Sequence, residues 1–272
     1  MAADATLDHD VVERFRAEGV VVLRGLVTEP EIELLRRGID AVVDHPSPRA
    51  KVASLPDDPG FFIEDFCTWR EHSEFEHFIR NTKLIRAGAQ LMESRTVRLY
   101  HDHVLVKQAG TRQRTPWHQD QPYYDVEGRQ NVSFWIPVDP VPAESSLEVV
   151  AGTHSGPWLM PRTFRDNQAK WFPEGSLAEL PDVDADRSAY PIRSWALAPG
   201  DVVAFHMLAV HGAAGSANRR RVFSLRVLGD DMVYAPRRWV CSPDFAAVIP
   251  PTADERRAGQ SLDGDWFPLL LS

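Results

Sequence analysis

The feature that most constrains the fold of this chain is the string Trp117-His118-Gln119-Asp120-Gln121, together with a distant Val210-His211-Gly212. Two imidazoles and one carboxylate form the ligand set that holds a non-haem ferrous ion on one face and leaves the opposite face open for a co-substrate and O2. A fold that brings His118, Asp120 and His211 to one ion is therefore the first hypothesis for this chain.

A second histidine and acid pair, His72 and Glu74, has the same spacing but a different local pattern. The apolar residues that follow it recur at helical spacing, and on a helix two residues two apart point about 200° away from each other. That pair cannot chelate one ion. His118 and Asp120 instead lie in an extended stretch between two prolines, where residues two apart face the same side and can reach one metal.

The composition argues against a nucleic-acid or membrane protein. The 272 residues are 43% hydrophobic, which is enough for a sizeable core in either one barrel-type domain or two small ones. No boundary favours two, so a single domain over residues 1–272 is expected. With 30 basic and 39 acidic residues, the net charge of −9 argues against a nucleic acid or an anionic membrane surface as the main partner.

Cysteine usage and the amino-terminal segment predict the compartment. Cys67 and Cys241 are the only cysteines, too few for a disulfide framework or a cysteine-based metal site, so a reducing compartment is expected. The amino-terminal segment is acidic without an apolar core, and no run of about 18 apolar residues occurs. The sequence therefore predicts a cytoplasmic protein that is neither secreted nor membrane-spanning.

Hydrophobic patterns predict a helical region over 1–95 and a strand-rich barrel core over 96–240. Val20–Leu23 is predicted as a buried strand, Thr28–Glu31 as a capping box that opens one helix, and 71–93 as another helix. Without helices alternating between them, the later strands indicate a mainly β fold with flanking helices, a two-sheet sandwich or jelly roll. These strands are predicted at 97–100, 104–106, 132–138, 147–150, 202–205 and 222–227.

The span 155–195 is polar, proline-punctuated and poorly periodic, which predicts a long insertion over one end of the barrel. Its large side chains indicate a lid that covers the mouth of the barrel and helps to select the substrate. A rigid oligomer interface is the alternative. The side chains in question are Trp158, Met160, Phe164, Trp171 and Phe172.

Five motifs in a fixed order resemble the phytanoyl-CoA dioxygenase family of Fe(II)/2-oxoglutarate oxygenases. They are Trp117–Asp120, Val132–Asp139, Leu147–His154, Leu197–His206, and His211-Gly212 followed by Asn218 and an arginine cluster. The segment Gly19–Leu26 resembles the opening strand of that family as well. The resemblance covers most of the chain and leaves 155–195 as the main unmatched part.

The resemblance implies a double-stranded β-helix, the cupin-like barrel, with His118 and Asp120 on one side and His211 on a later strand. These residues would bind Fe(II), and an arginine beyond His211 would bind the distal carboxylate of 2-oxoglutarate. Family members use O2 to decarboxylate this oxoacid to succinate and CO2 while they oxidise a second substrate. Related halogenases have a small residue in place of the aspartate, so Asp120 favours oxygenation.

Strand alternation leaves Arg220 and Arg226 as candidates for the arginine that would bind the oxoacid, and the resemblance to the family, aligned on the following Arg-Val-Phe-Ser stretch, implies Arg220. The alternation places Arg220, Ser224 and Arg226 on one face, whereas Arg221 shares the other face with apolar residues. A planar guanidinium suits a bidentate carboxylate partner. Arg226 is the alternative anchor, and a charge run of this kind is in general most often a solvated surface.

Other candidate cavity residues depend on the resemblance. The family places a tryptophan near the position of Trp135, against the oxoacid, although a tryptophan in mid-strand is more often a core residue. Ser224 could supply a hydrogen bond that some members obtain from a serine where this chain has Ala213. The remaining candidates for the cavity are Lys107, Gln119, Tyr123 and Tyr124.

Three further histidines have competing interpretations. His206 competes with His211 for the third ligand position or forms a hydrogen bond within the barrel, and the family pattern favours His211. His101 and His103 lie on a predicted strand and could bind metal as a pair, but a half-exposed strand edge is the expected placement.

Three functional classes remain for this sequence. The favoured one is an Fe(II)/2-oxoglutarate-dependent dioxygenase that hydroxylates a small molecule, with no nucleic-acid or membrane partner. The second uses the same iron for desaturation, cyclisation or epimerisation in natural-product biosynthesis. The third is a cupin-like metal-binding protein without turnover, against which the arginine beyond His211 argues. The identity of the substrate and the formation of a homo-oligomer stay open.

Overall fold

The computed structural model describes residues 6–54, 57–162, 172, 175–238 and 240–272. The helices are α1 (His9–Glu18), α2 (Glu29–Asp44), α3 (Ser73–Asn81), α4 (Leu84–Met92) and α5 (Phe245–Val248). The strands are β1 (Val20–Leu23), β2 (Lys51–Val52), β3 (Phe62–Phe66), β4 (Val97–Lys107), β5 (Thr115–His118), β6 (Val126–Glu127), β7 (Asn131–Pro137), β8 (Leu147–Val150), β9 (Ile192–Arg193), β10 (Val202–Phe205), β11 (His211–Ala213), β12 (Arg220–Leu228), β13 (Val233–Tyr234) and β14 (Leu269–Leu271). Within the described ranges no helix has the length and apolarity needed to cross a membrane.

The amino-terminal helices begin and end where local chemistry favours it. α1 ends at Gly19, which takes the left-handed conformation with φ of 73°. α2 begins with the predicted capping box, in which the Thr28 backbone N–H donates to the Glu31 carboxylate at 2.8 Å. The single helix predicted for 71–93 is wrong, because the chain is extended at Thr82 and its hydroxyl accepts the Leu84 N–H, which separates α3 from α4.

Two antiparallel sheets form the barrel and confirm the predicted double-stranded β-helix with flanking helices. The larger sheet has the order β1-β10-β7-β12-β4-β3-β2, and β14 also pairs with β4. The smaller sheet has the order β5-β11-β8-β9, while β6 and β13 form a separate pair. β2 and β3 lie in the region predicted to be helical. Because they extend the larger sheet beyond β4, that strand is an interior strand rather than an edge.

β12 separates the helical layer from the interior of the barrel. Phe223 and Leu225 belong to the core beneath the helices, and the Phe223 ring lies 4.6 Å from the ring of Phe75 in α3. Arg220 and Ser224 face the other way and line an internal cavity. The alternation in the sequence therefore corresponds to the two faces of one strand.

The described part of the 155–195 insertion lies beside the smaller sheet. Leu159 packs with Trp117 of β5 in a small apolar cluster, and the segment ends in β9, which pairs with β8. No described residue of this span lines the internal cavity. Phe164 and Trp171 lie outside the described residues, and the lid stays a prediction.

We expect Phe223→Ala to lower the free energy of unfolding by about 3 to 5 kcal/mol, because it removes a fully buried ring between β12 and the helices. Chemical denaturation of the purified protein measures this loss. Leu269→Ala is the matched control, since Leu269 is 46% exposed and its truncation should cost less than about 1 kcal/mol. Equal losses in the two variants would contradict the assignment of Phe223 to the main core.

Candidate metal centre and its cavity

His118, Asp120 and His211 meet at the inner surface of the smaller sheet. His118 is the last residue of β5 and is paired directly with His211, the first residue of β11. The Asp120 Oδ1 atom lies 3.4 Å from Nε2 of His118 and 3.6 Å from Nε2 of His211. One ligand atom from each of the three residues lies within 4.8 Å of the others. The three side chains can therefore reach a single ion, and no other such group occurs among the described residues.

Asp120 reaches this position through a turn and not through strand alternation. β5 ends at His118, and Asp120 has helical angles (φ −74°, ψ −48°) at the start of a short 3-10 turn. The backbone N–H groups of Asp120 and Gln121 both donate to the Met207 carbonyl, at 2.8 and 3.0 Å. The expectation of a continuous extended stretch is thus wrong, because the Met207 carbonyl holds the turn that brings the carboxylate back beside His118.

Backbone carbonyls fix the tautomer of both histidine ligands. Nδ1 of His118 lies 2.8 Å from the Pro116 carbonyl, and Nδ1 of His211 lies 2.9 Å from the Ala209 carbonyl. A carbonyl only accepts, so each Nδ1 carries the proton and each Nε2 presents its lone pair towards Asp120. Burial lowers the pKa of His211 to about 3, which keeps this imidazole neutral. Two imidazoles and one carboxylate fit a divalent transition metal.

Arg226 controls the orientation of the Asp120 carboxylate. Oδ2 of Asp120 accepts from Nε of Arg226 at 3.1 Å and from the Ser133 hydroxyl at 3.3 Å, and it lies 3.0 Å from Nη2 of Arg226 in the same ion pair. Burial alone would raise the pKa of Asp120, but the Arg226 charge and the neighbouring histidines hold it well below its usual range. The carboxylate is therefore ionised and turns Oδ1 towards the two imidazoles.

The three ligands open into a cavity of about 530 Å3, a size typical of small-molecule sites. Trp135 and Ser224, both predicted cavity residues, lie in its lining, as do Tyr123 and Tyr124. The Ser224 hydroxyl already donates to the Phe134 carbonyl at 3.0 Å and accepts from Arg226. The Ser224 hydroxyl proton is therefore already used in a hydrogen bond within the barrel.

Arg220 also lines this cavity and differs from Arg226 in its partners. Its side chain is buried and donates to the Ser145 carbonyl, and its guanidinium carbon lies 5.6 Å from the centre of the Trp135 ring. No carboxylate of the described residues forms an ion pair with it, and burial lowers its pKa to about 10. Arg226 is paired with Asp120, so Arg220 is the one of these two cavity arginines that is not paired with a carboxylate of the described residues.

Lys107 and Gln119, predicted to bind the cofactor, do not line the cavity. The Lys107 ammonium donates to the carbonyls of Gln113 and Ala214 at 2.8 and 3.0 Å, and burial lowers its pKa to about 6. The Gln119 amide donates to Leu208 and accepts the Leu159 N–H, both at 2.8 Å. Their polar groups tie loops to the barrel, because buried backbone groups need partners.

Three cavity residues were missed or misplaced by the sequence analysis. Glu64 and Phe66 of β3 lie in a segment predicted to be helical, and both line the cavity. His103 lines it as well, and both His103 and His101 are buried, so the expected half-exposed strand edge is wrong. Polar residues are consecutive at Glu64-Asp65 in β3 and at His101-Asp102-His103 in β4, so the sequence pattern does not identify an inward face until the neighbouring strands are known.

His206, the competitor of His211, lies outside the metal centre. Its Nε2 hydrogen-bonds the Arg129 carbonyl at 2.8 Å, and its Nδ1 accepts the Leu208 N–H at 3.0 Å. Both nitrogens of His206 are therefore hydrogen-bonded within the barrel, and His206 is not the third residue of the metal centre.

A double-stranded β-helix whose smaller sheet carries two histidines, with an aspartate in the turn that follows one of its strands, defines a class of metal-dependent proteins. This chain belongs to the phytanoyl-CoA dioxygenase (PhyH) family, whose model matches residues 15–222. The family membership inferred from the five motifs is thus confirmed.

Solved structures similar to this one include enzymes of natural-product biosynthesis. One is the non-haem α-ketoglutarate-dependent carbocyclase SnoK from nogalamycin biosynthesis, with a TM-score of 0.73, 20% identity, and 97% of this chain and 96% of that chain covered. Another is the epimerase SnoN in complex with Fe3+, α-ketoglutarate and nogalamycin RO, with a TM-score of 0.72, 20% identity, and coverages of 96% and 97%. A third is EvdO2 from Micromonospora carbonacea var. aurantiaca complexed with 2-oxoglutarate, with a TM-score of 0.61, 21% identity, and coverages of 86% and 96%. At these identities the similarity shows the fold.

We expect Arg226→Met to weaken divalent metal binding by about 10- to 100-fold, because the Asp120 carboxylate loses the partner that orients it. Titration of the metal-free protein with Co(II), followed by its visible absorption, measures this change. Arg256→Met is the matched control, since Arg256 forms a buried pair with Asp125 that the metal ligands do not share. Equal metal affinity in both variants would rule out an orienting role for Arg226.

Proposed function

We propose that this protein is an Fe(II)/2-oxoglutarate-dependent oxygenase that hydroxylates a small molecule. The observation that carries the proposal is the placement of buried Arg220, which has no carboxylate partner among the described residues, in the same cavity as the ligands His118, Asp120 and His211. A metal-binding protein without a co-substrate does not need that cation. Two of the similar structures were solved with α-ketoglutarate or 2-oxoglutarate, one of them also with Fe3+, which supports the same cofactors here.

Two His ligands and one Asp ligand would hold Fe(II) and leave positions for 2-oxoglutarate and O2. Iron bound in this way supplies the oxidising chemistry, in which 2-oxoglutarate is converted to succinate and CO2. The contribution of the chain is to bind, to orient and to exclude water. The carbonyls behind His118 and His211 keep both Nε2 lone pairs available, and the Arg226 partner keeps Asp120 ionised.

Arg220 would bind the distal carboxylate of 2-oxoglutarate and so fix the direction in which the oxoacid extends from the metal. A guanidinium can form two parallel hydrogen bonds to a carboxylate, and burial strengthens such a pair. The Trp135 ring beside the guanidinium would limit the space around the aliphatic part of the oxoacid. Lys107 pairs across the strands with Arg220, but its amino group donates to the Gln113 and Ala214 carbonyls and would not contact this carboxylate.

The similar structures also support a second kind of reaction at the same metal. The carbocyclase SnoK and the epimerase SnoN both match nearly the whole of this chain. Cyclisation or epimerisation of a natural-product intermediate therefore stands beside hydroxylation. These reactions share the metal, the oxoacid and the cavity, and differ in which substrate carbon lies nearest the metal.

The proposed function is tested by the release of succinate from 2-oxoglutarate in the presence of Fe(II), air and a library of metabolites. We expect at least one compound to stimulate release well above the background of uncoupled turnover. Asp120→Ala should abolish the stimulation, whereas the control His206→Ala should keep it, because His206 bonds only within the barrel. Succinate release that continues unchanged in Asp120→Ala would contradict the metal centre.

Arg220→Ala should weaken the binding of 2-oxoglutarate by about 100-fold or more, since removal of one partner of a buried ion pair costs about 3 to 5 kcal/mol. Anaerobic titration of the Fe(II) protein, followed by the metal-to-ligand charge-transfer band, measures this affinity. Arg221→Ala is the control, because Arg221 pairs with Asp139 and Asp40 on the opposite face of β12. A normal titration in Arg220→Ala would disprove the anchor.

A further inference from the structure

The cavity continues beyond the metal ligands to a wall formed by β3 and β4. Glu64, Phe66 and His103 lie on this wall, and none of them is used by the metal or by the proposed oxoacid site. Phe66 and His103 are direct neighbours across the two strands. Their rings are stacked, with centres 4.0 Å apart and planes inclined by 22°. The wall is therefore a built and ordered surface that faces the space left for a substrate.

His103 has incomplete hydrogen bonding on this wall. It is only 7% exposed, and its Nε2 has no hydrogen-bond partner among the described residues. The nearest carboxylate oxygen, Oε2 of buried Glu64, lies 3.5 Å from Nε2, at the outer limit for a hydrogen bond. Burial lowers the pKa of His103, although Glu64 opposes the change. A neutral imidazole in this position offers one donor and one acceptor, and a buried polar group of this kind gains from a ligand that completes its bonding.

The charges of the cavity restrict what that ligand can be. Its described lining includes the cations Lys51, Arg220 and Arg226 and the carboxylates Glu64 and Asp120, an excess of one positive charge. Fe(II) and the dianion 2-oxoglutarate would cancel each other and leave the excess unchanged. A positively charged substrate would be repelled by this excess charge, whereas a substrate with a neutral group or a weakly acidic hydroxyl would not.

The other residues that line the cavity indicate what kind of molecule would carry such a hydroxyl. Tyr123, Tyr124 and Leu105 also line the cavity, and the Tyr123 hydroxyl donates to the Arg162 carbonyl and accepts the Arg162 N–H. Val52 lines its mouth and is 61% exposed, one of the most exposed large apolar side chains in the described part of the protein. An apolar mouth and flat aromatic walls fit a planar, ring-bearing molecule that enters with little charge.

We propose that the Glu64, Phe66 and His103 wall is the subsite for the oxidised substrate, and that it recognises a phenol- or enol-type hydroxyl on a planar, largely apolar small molecule. His103 contacts the hydroxyl through its imidazole. Glu64 is a positioning residue that fixes the orientation of this imidazole, and Phe66 supports its ring by stacking. This inference rests on the proposed function, because it concerns the substrate of the same site.

The test uses three probes that differ only in the polar group: 2-naphthol, 2-methoxynaphthalene and 2-(aminomethyl)naphthalene. Each is titrated calorimetrically into the protein loaded with Fe(II) and 2-oxoglutarate under nitrogen, and the charge-transfer band is recorded on the same samples. We expect 2-naphthol to bind about tenfold or more tightly than its methyl ether, the effect of one buried hydrogen bond. A preference for the amine would overturn the assignment in favour of a cationic substrate, and the absence of binding by all three probes would also overturn it.

Substitutions in the wall then test whether His103 and Glu64 cause the preference for 2-naphthol over its methyl ether. His103→Phe should reduce the advantage of 2-naphthol over its ether to about twofold or less, and Glu64→Gln should reduce it in part, because the amide still accepts a hydrogen bond. His101→Phe is the matched control: His101 is also buried on β4 but does not line the cavity, so the advantage should persist. An advantage kept in His103→Phe would disprove the role of His103.

The proposed subsite and the proposed function can be rejected separately in this experiment. A normal charge-transfer band without any hydroxyl preference would reject the subsite and leave the proposed function standing. Failure to form that band in the unaltered protein would instead reject the cofactor assignment itself.

Discussion

The buried ion pair between Asp120 and Arg226 joins the two sheets at the point on which the site depends. Asp120 follows β5 of the smaller sheet, whereas Arg226 belongs to β12 of the larger one. Two charges in the interior are tolerated only when they are paired, and removal of one partner costs about 3 to 5 kcal/mol. The pair thus sets the distance between the sheets locally, and it turns one carboxylate oxygen towards His118 and His211.

β12 supports the site because its two faces perform different tasks. Outward residues such as Phe223 pack beneath α2 and α3, while inward residues carry the arginines of the cavity. The strand is paired on both sides, with β4 and with β7, so its position is fixed by two ladders of hydrogen bonds. This pairing fixes the placement of Arg220, because Arg220 belongs to a strand that is held on both sides.

Much of the fold and of the metal site could be predicted from the sequence, because these features are encoded locally or in widely spaced motifs. The strands, the capping box at Thr28 and the set His118, Asp120 and His211 belong to this group. The rest depended on contacts between distant segments. The turn at Asp120 is held by Met207, and the burial of His103 arises because β3 covers an edge that β4 alone would expose. A period-two pattern gives the alternation of a strand but not its neighbours.

The residues of the metal and of the proposed oxoacid site come from β5 and the turn after it, β7, β11 and β12, whereas the Glu64, Phe66 and His103 wall comes from β3 and β4. The two groups meet in one cavity but are carried by different backbone segments. Substitutions on β3 can therefore reshape the chamber without displacing a ligand of the metal. Such a division of the barrel separates the residues proposed to hold the metal and the oxoacid from those that would determine which compounds fit, and it places the latter towards the β2–β3 edge of the larger sheet, opposite β1.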